Sequence, residues 1–378
     1  MIVRARTEIN ENLILQILRG NDNNHLSSNA LSFFFNSGSA SLRFFLRIIG
    51  KKKRIGVQVY TCSTVLDAIN EEGCIPIFLD INPNYYTTTI DCVRNRIQEM
   101  DILLLSHLFG IPNPDYLEIK ELCHENGVIL VDDLCQTFHA QVNGYNLEDL
   151  SDNYFYSFFY DKPISMLSGG MLKINECYEK KALSLYEKLP LESEEEGRKE
   201  LKVLYFMHQL LSPSIYRSEF RKGIIWKKIL SVWPLYWNVS IVYPLLSSKI
   251  CKSMNRLFIH KTKNQECYRM SNVRTHYVLS MMNSYSDNNK NLIDFLNSNK
   301  IIFPDYLCNR SIKCSLAKRA ILKVNFESSQ AEIALYNWPR LICKDSQTHL
   351  YPNAKSVIDT HINIPVWSSD ILQINNVK

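Results

Sequence analysis

The sequence predicts an α/β fold: a large three-layer domain around a mostly parallel sheet, followed by a smaller C-terminal α/β domain. Three observations lead there. Short apolar runs recur at GVQVY (56–60), IPIFLD (75–80), ILLLS (102–106), VILVD (128–132) and YFYSF (154–158). Amphipathic stretches separate the first four, and unbroken apolar strands are what a parallel sheet covered by helices requires. The 378 residues also exceed what one core of ordinary size supports, so at least two domains are expected.

Taken in order, SLRFFLRII (41–49) sets Leu42, Phe45, Leu46 and Ile49 on one helical face, and Gly50 can stop the helix. PDYLEIKELCHEN (114–126) reads as a helix between the third and fourth strands. The acidic-then-basic run Glu192 to Glu200 reads as a solvated helix face or loop. Trp226, Trp233 and Trp237 cluster beyond it, and Ile229–Ser248 runs 20 residues without a charge, flanked by Lys227, Lys228 and Lys249. That length nominates a spanning helix, whereas Pro234, Pro244, Asn238 and four serines oppose it. Packing within the fold is the preferred reading of 226–248, with peripheral membrane or partner contact as alternatives. A helical stretch YRMSNVRTHYVLSMMNSY (268–285), a strand AILKVNF (320–326) and a last apolar run HINIPVW (361–367) follow. The expected division is 1–250 for the large domain, with 177–250 a helical, aromatic-rich extension, and 251–378 for the small one.

The net charge is +5, too weak and dispersed for a nucleic-acid binder. Cysteine is abundant but odd in number, 11, with no CxxC pair. Free thiols in a reducing compartment follow, with neither a disulfide framework nor a metal site. The N-terminal MIVRARTEINENL lacks the apolar core of a signal peptide, so a cytoplasmic protein is expected.

In an open parallel sheet, ligands bind beyond the carboxyl ends of the strands. Those ends are Thr61, His107, Asp133 and Ser157. NSGSAS (36–41) precedes the first helix, where free N–H groups suit a phosphate, although a capping serine gives the same pattern. Lys162 follows a buried-looking strand and precedes Gly169-Gly170, so it either points into a cleft or is a solvated surface charge. An amine, a strand-end carboxylate, hydroxyls and a phosphate cradle are together the parts that pyridoxal 5′-phosphate (PLP) needs. For Asp133 the competing reading is a cap on the following segment.

At this point the chain resembles the DegT/StrS-type sugar aminotransferases, which have the PLP-transferase type I fold. The resemblance runs in order through NSGSASL (36–42), GCIPIFLDINP (73–83), SHLFGIP (106–112), VDDLCQ (131–136) and SFFYDK (157–162), ending in Gly169-Gly170. It covers most of residues 30–176, with traces at YRMSN (268–272) and HINIPVW. It implies that Lys162 is the catalytic lysine that carries the cofactor and that Asp133 holds the pyridine nitrogen protonated. Gln136 would contact the 3-hydroxyl, and Gly38, Ser39 and Ser157 the phosphate. Thr61 and Cys62 fall in the cofactor-binding YTC stretch. Cys62, or Tyr60 or Thr64 at a small shift, stands where many members stack an aromatic on the ring. Cys267 stands where many have an asparagine that reaches the partner subunit's phosphate. His107 reads as a satisfied structural histidine, and Asp80 as structural.

The resemblance further implies an aminotransferase, moving an amino group from an amino acid such as glutamate to a nucleotide-linked keto sugar. Surface polysaccharide or glycoconjugate synthesis would use the product, and a homodimer would complete the site. The lysine argues against the family's dehydratase branch, in which a histidine replaces it. The alternative is a non-catalytic or regulatory member attached to a membrane surface through 226–248.

Overall fold

The computed structural model describes residues 9–20, 31–210, 267–298, 302–316, 319–323 and 339–365, and the aromatic segment 226–248 lies outside them. Fourteen strands are defined among the described residues: β1 Ser32–Phe35, β2 Arg54–Gln58, β3 Tyr60–Thr61, β4 Ile75–Leu79, β5 Ile102–Ser106, β6 Ile129–Asp133, β7 Gln141–Val142, β8 Tyr145–Asn146, β9 Tyr154–Ser157, β10 Gly170–Lys173, β11 Ile312–Lys313, β12 Arg319–Lys323, β13 Arg340–Leu341 and β14 His361–Pro365. Seven form one sheet in the order β1-β10-β9-β6-β5-β2-β4. From β9 to β4 all neighbours are parallel; β10 is antiparallel to both of its own.

Side chains alternate across this sheet as strand geometry demands. Leu103 and Leu105 of β5 join one core and Ile102 and Leu104 the other. The helices α2 (Gly38–Ile49), α3 (Ser63–Glu71) and α7 (Glu179–Tyr186) cover the second core. The opposite face carries α1 (Glu11–Leu18), α5 (Tyr116–Glu125), α8 (Glu194–Leu210) and the helix Asn272–Asn283. This is the three-layer α/β architecture expected. The chain leaves β2 for β4 on one side and then returns to β5 on the other, so a topological switch point lies between β2 and β5.

Helix α2 begins on Ser37, whose Oγ accepts the Ala40 N–H at 3.1 Å, and ends at Gly50 with φ 114°. GVQVY divides: β2 stops at Gln58, whose buried Nε2 donates to the carbonyls of Tyr60 (2.8 Å) and Tyr86 (3.2 Å). That side chain turns the chain out of the sheet, and Tyr60–Thr61 pairs with β13 instead.

Tyr268–Met270 is extended rather than helical, because its backbone is used against the free side of β1. The Asn36 N–H donates to Tyr268 O (3.1 Å) and the Met270 N–H to Phe34 O (3.1 Å). The helix starts only at Asn272. The acidic run is a solvated helix face at Glu195, Glu196 and Lys199, but not at its two ends. Glu200 is 5% exposed, and Glu192 pairs with the buried Arg274.

C-terminal residues build onto the N-terminal part as well as onto one another. β12 pairs with β14, β11 with β7 and β13 with β3. Asp80 caps the helix Pro352–Thr360 by accepting the Asn353 (3.2 Å) and Ala354 (3.0 Å) N–H groups. Among the described residues, no helix is long and apolar enough to cross a membrane.

Candidate active site

The carboxyl ends of β5 and β6 stand in register, Ser106 opposite Asp133, beside the switch point. The two aspartates that end β6 diverge because successive strand residues face opposite sides. Asp132 is buried with His107 Nε2 at 3.2 Å, the Tyr116 hydroxyl at 2.9 Å and the Ser151 hydroxyl at 2.5 Å. His107 Nδ1 accepts the Asn113 N–H at 3.1 Å, which leaves its proton on Nε2 for Asp132. This histidine is wholly enclosed and fully partnered.

Asp133 is 6% exposed and its Oδ1 accepts the Cys135 N–H at 3.0 Å, a turn-type local bond. Its Oδ2 has the Ser106 hydroxyl at a long 3.4 Å. Two residues on, withdrawal from water pushes the Cys135 thiol well above its usual range, the Asp133 carboxylate raises it further and the Lys162 ammonium opposes.

Lys162 sits on a loop joining β9 to β10. The neck of this loop is tied by the Phe158 N–H to Gly169 O (2.9 Å), and its tip turns with the Lys162 N–H on Phe159 O (3.0 Å). The Ser165 hydroxyl braces Lys162 O at 2.9 Å. Gln136 is anchored at the opposite end of the same β6 turn, its Oε1 accepting the Phe109 N–H at 3.0 Å. That bond holds Phe109 in a left-handed conformation, φ 60°. The Gln136 Nε2 is left as a donor.

The first turn of α2 abuts the end of β9. A β-carbon at Gly38 would lie 2.6 Å from Ser157 Cβ and 3.0 Å from its Oγ, so only glycine allows this approach. Ser37 Oγ takes the Ala40 N–H and Ser37 O takes the Ser41 N–H. The Gly38 and Ser39 N–H groups thus stay available, among the described residues, to an outside acceptor beside the Ser157 hydroxyl.

The structure thus brings together Gly38, Ser39 and Ser157 as one group; Asp133, at the end of β6, and Lys162, on the loop leaving β6's parallel neighbour β9, make a second. Gln136 joins the second through the β6 turn. Thr61 is different: it is 1% exposed in its ladder with Arg340, and reaches the site only through its neighbour Cys62. Tyr60 is enclosed in the core, whereas Cys62 is only partly buried. Cys267 is buried, its Sγ donating to Ala40 O at 3.8 Å within its own chain.

Sequence reasoning missed Arg274. Its signal was a charged residue on the same helical stripe as Tyr277 and Val278, both of which are fully buried.

A cavity of about 380 Å³ lies beside the Lys162 loop at Pro163 and Ile164, lined also by Asn10, Glu11, Met281 and Tyr285 among others. Its mixture of amide and hydroxyl groups with apolar surfaces is suited to a small polar organic molecule. The donor set fits PLP: an amine, a strand-end carboxylate, a side-chain amide, and a hydroxyl with two helix-end amides in a cradle that a β-carbon would fill. Among the described residues no His, Cys, Asp and Glu group could hold a metal ion.

Residues 25–206 match the sequence profile of the DegT/DnrJ/EryC1/StrS aminotransferase family. Among curated proteins, a UDP-N-acetyl-3-dehydro-alpha-D-glucosamine 3-aminotransferase of Acidithiobacillus ferrooxidans is 29% identical over 140 residues, 36% of this chain and 38% of that protein. A GDP-perosamine synthase of Vibrio cholerae is 24% identical over 142 residues, 37% of this chain and 38% of that protein. The match therefore spans well under half of those relatives' length. Among solved structures, the sugar aminotransferase CalS13 of Micromonospora echinospora superposes with a TM-score of 0.64, covering 99% of this chain and 97% of that one at 14% identity. The PLP form of the sugar aminotransferase Spr1654 of Streptococcus pneumoniae superposes with a TM-score of 0.61, covering 96% of this chain and 93% of that one at 13% identity. At such identities the likeness is one of fold.

Proposed function

We propose that this chain, whose residues 25–206 match the profile of the DegT/DnrJ/EryC1/StrS aminotransferase family, is a PLP-dependent sugar aminotransferase. It takes an amino group from an amino acid, glutamate first among the candidates, and delivers it to a keto group on a nucleotide-linked sugar. The acceptor class is supported by the named activities of the curated relatives. The observation that carries the reading is the placement of Asp133 at the carboxyl end of β6 and of Lys162 on the loop that leaves the carboxyl end of β9, the strand parallel to and paired with β6.

Bound there, PLP would supply an electron sink for negative charge at the carbon that exchanges its amino group. The chain's own residues do the rest. Asp133 would hold a proton on the ring nitrogen by a charge-assisted hydrogen bond. Lys162 Nζ would hold the cofactor's aldehyde carbon and, as a free amine, would move a proton to and from the reacting carbon. Gln136 Nε2 donates to the ring hydroxyl, and Gly38, Ser39 and Ser157 bind the phosphate at the positive end of α2. Cys62 would lie beside the ring, with the enclosed Thr61 behind it. The acceptor would enter through the cavity beside the Lys162 loop. The proposed cofactor-binding domain lies within 1–250, with the helix Asn272–Asn283 packed on its sheet, and the proposed small domain within 251–378; the protein is proposed to work as a cytoplasmic homodimer.

The test is optical. Purified protein mixed with PLP should gain a visible band; borohydride should remove the band while fixing the pyridoxyl group to the Lys162 peptide, and Lys162→Ala should abolish both. Glutamate should bleach the band, and a nucleotide-linked keto sugar should restore it. A coloured protein that no amino acid bleaches would overturn the aminotransferase reading.

A further inference from the structure

Arg274 lies on the helix Asn272–Asn283, and its side chain is withdrawn from water. Its Nη1 pairs with Glu192 Oε1 at 2.7 Å, and its Nη2 with Glu200 Oε1 at 3.0 Å. The same Nη2 donates to the Ser168 carbonyl at 2.5 Å and to the Ser168 hydroxyl at 3.0 Å. The Ser168 hydroxyl in turn donates to Glu200 Oε1 at 2.9 Å. One guanidinium thus addresses three acceptor residues at fixed angles, which a planar fork does and a lysine ammonium does not.

Ser168 is the last residue before the neck of the Lys162 loop. Gly169 follows with φ 131°, and a β-carbon there would lie 3.3 Å from Arg274 Nη2 and 2.6 Å from Met270 Cε. The neck itself closes between Phe158 and Gly169, and Met166 N–H returns to Phe158 O at 2.7 Å. A continuous run of short bonds therefore leads from the guanidinium through residue 168 to the loop that carries Lys162.

Two carboxylates and a guanidinium out of water are a costly way to gain stability, because apolar side chains of equal volume do as well or better. What such a cluster supplies is direction. We propose that Arg274 is a positioning residue for Lys162, aiming its loop through the Ser168 carbonyl and hydroxyl. The inference rests on the proposed role of Lys162 as the cofactor-bearing amine.

The experiment compares full-length wild type with Arg274→Met, Arg274→Lys and Ser168→Ala. Without cofactor, acylation of Lys162 by an amine-reactive ester is read by peptide mass spectrometry against the exposed Lys180. With PLP, the pH midpoint of the visible band is read, together with kcat and KM for glutamate. Arg274→Met should change the Lys162-to-Lys180 labelling ratio, shift the midpoint, and lower kcat about tenfold with KM nearly unchanged; a misplacement of about 1 Å can cost up to about 10²-fold. Arg274→Lys should recover part of each, and Ser168→Ala should move the same readouts less, at nearly wild-type melting temperature. If Arg274→Met does not fold, the other two variants decide. Variants that melt earlier while labelling ratio, midpoint and kcat stay at wild-type values overturn the proposal. A wild-type chain that gains no visible band overturns the aminotransferase reading instead, and the cofactor-free labelling ratio then decides on Arg274 alone.

Discussion

Gly38 faces Ser157 so closely that a β-carbon at position 38 would stand 2.6 Å from the Ser157 Cβ. The start of α2 and the end of β9 are therefore held at a separation that one methyl group would change. Gly38→Ala should force them apart, costing about 1–3 kcal/mol of stability as overpacking. PLP affinity should fall by about tenfold or more, equivalent to ~1.4 kcal/mol. Absorbance titration with PLP checks this, and unchanged affinity would remove the phosphate role of this corner.

Asp133→Asn keeps an acceptor for the Cys135 N–H but loses the negative charge. The expected outcome is retained fold with kcat lower by roughly 10²-fold or more, the scale for losing one preorganised electrostatic partner. Single-turnover bleaching by glutamate measures it. Wild-type rates in this variant would show that the ring nitrogen is held elsewhere.

Cys135 should be slow toward iodoacetamide at neutral pH despite its half-buried position, because burial and Asp133 keep its thiol protonated against the pull of Lys162. The exposed Cys177 and Cys308 should be alkylated first. Peptide mapping over time decides the order.

Burial raises the Glu200 carboxyl above its usual range, with Arg274 opposing. A raised folded-state value means that the folded chain binds this proton more tightly than the unfolded chain. Its contribution to stability is then present below the ordinary value of about 4.3 and lost as pH rises through the folded value. Glu200→Gln removes that dependence, so the variant's melting temperature relative to wild type should climb from acid toward neutral pH. A difference that stays constant across the series would contradict the shift.

The sheet and its covering helices were legible because apolar periodicity is local. SLRFFLRII and ILLLS became α2 and β5 almost residue for residue, and the residues of the proposed site fall at strand ends where parallel topology puts ligands. What was not legible depends on distant partners. Glu192 looked solvated because Arg274 lies 82 residues away along the chain. Tyr268–Met270 looked helical because nothing local signals that β1 will use its backbone groups. The departure of Tyr60–Thr61 from the sheet turns on one buried glutamine side chain, which no hydropathy pattern reports.

The backbone of 268–270, laid along Phe34 and Asn36, occupies what would otherwise be an open rim of hydrogen-bonding groups on β1. A fragment ending near residue 206, where the family likeness ends, would expose that rim and invite strand-to-strand aggregation between molecules. The stretch that carries the family likeness is thus not an independent unit, and anyone expressing it alone should plan to keep the returning segment.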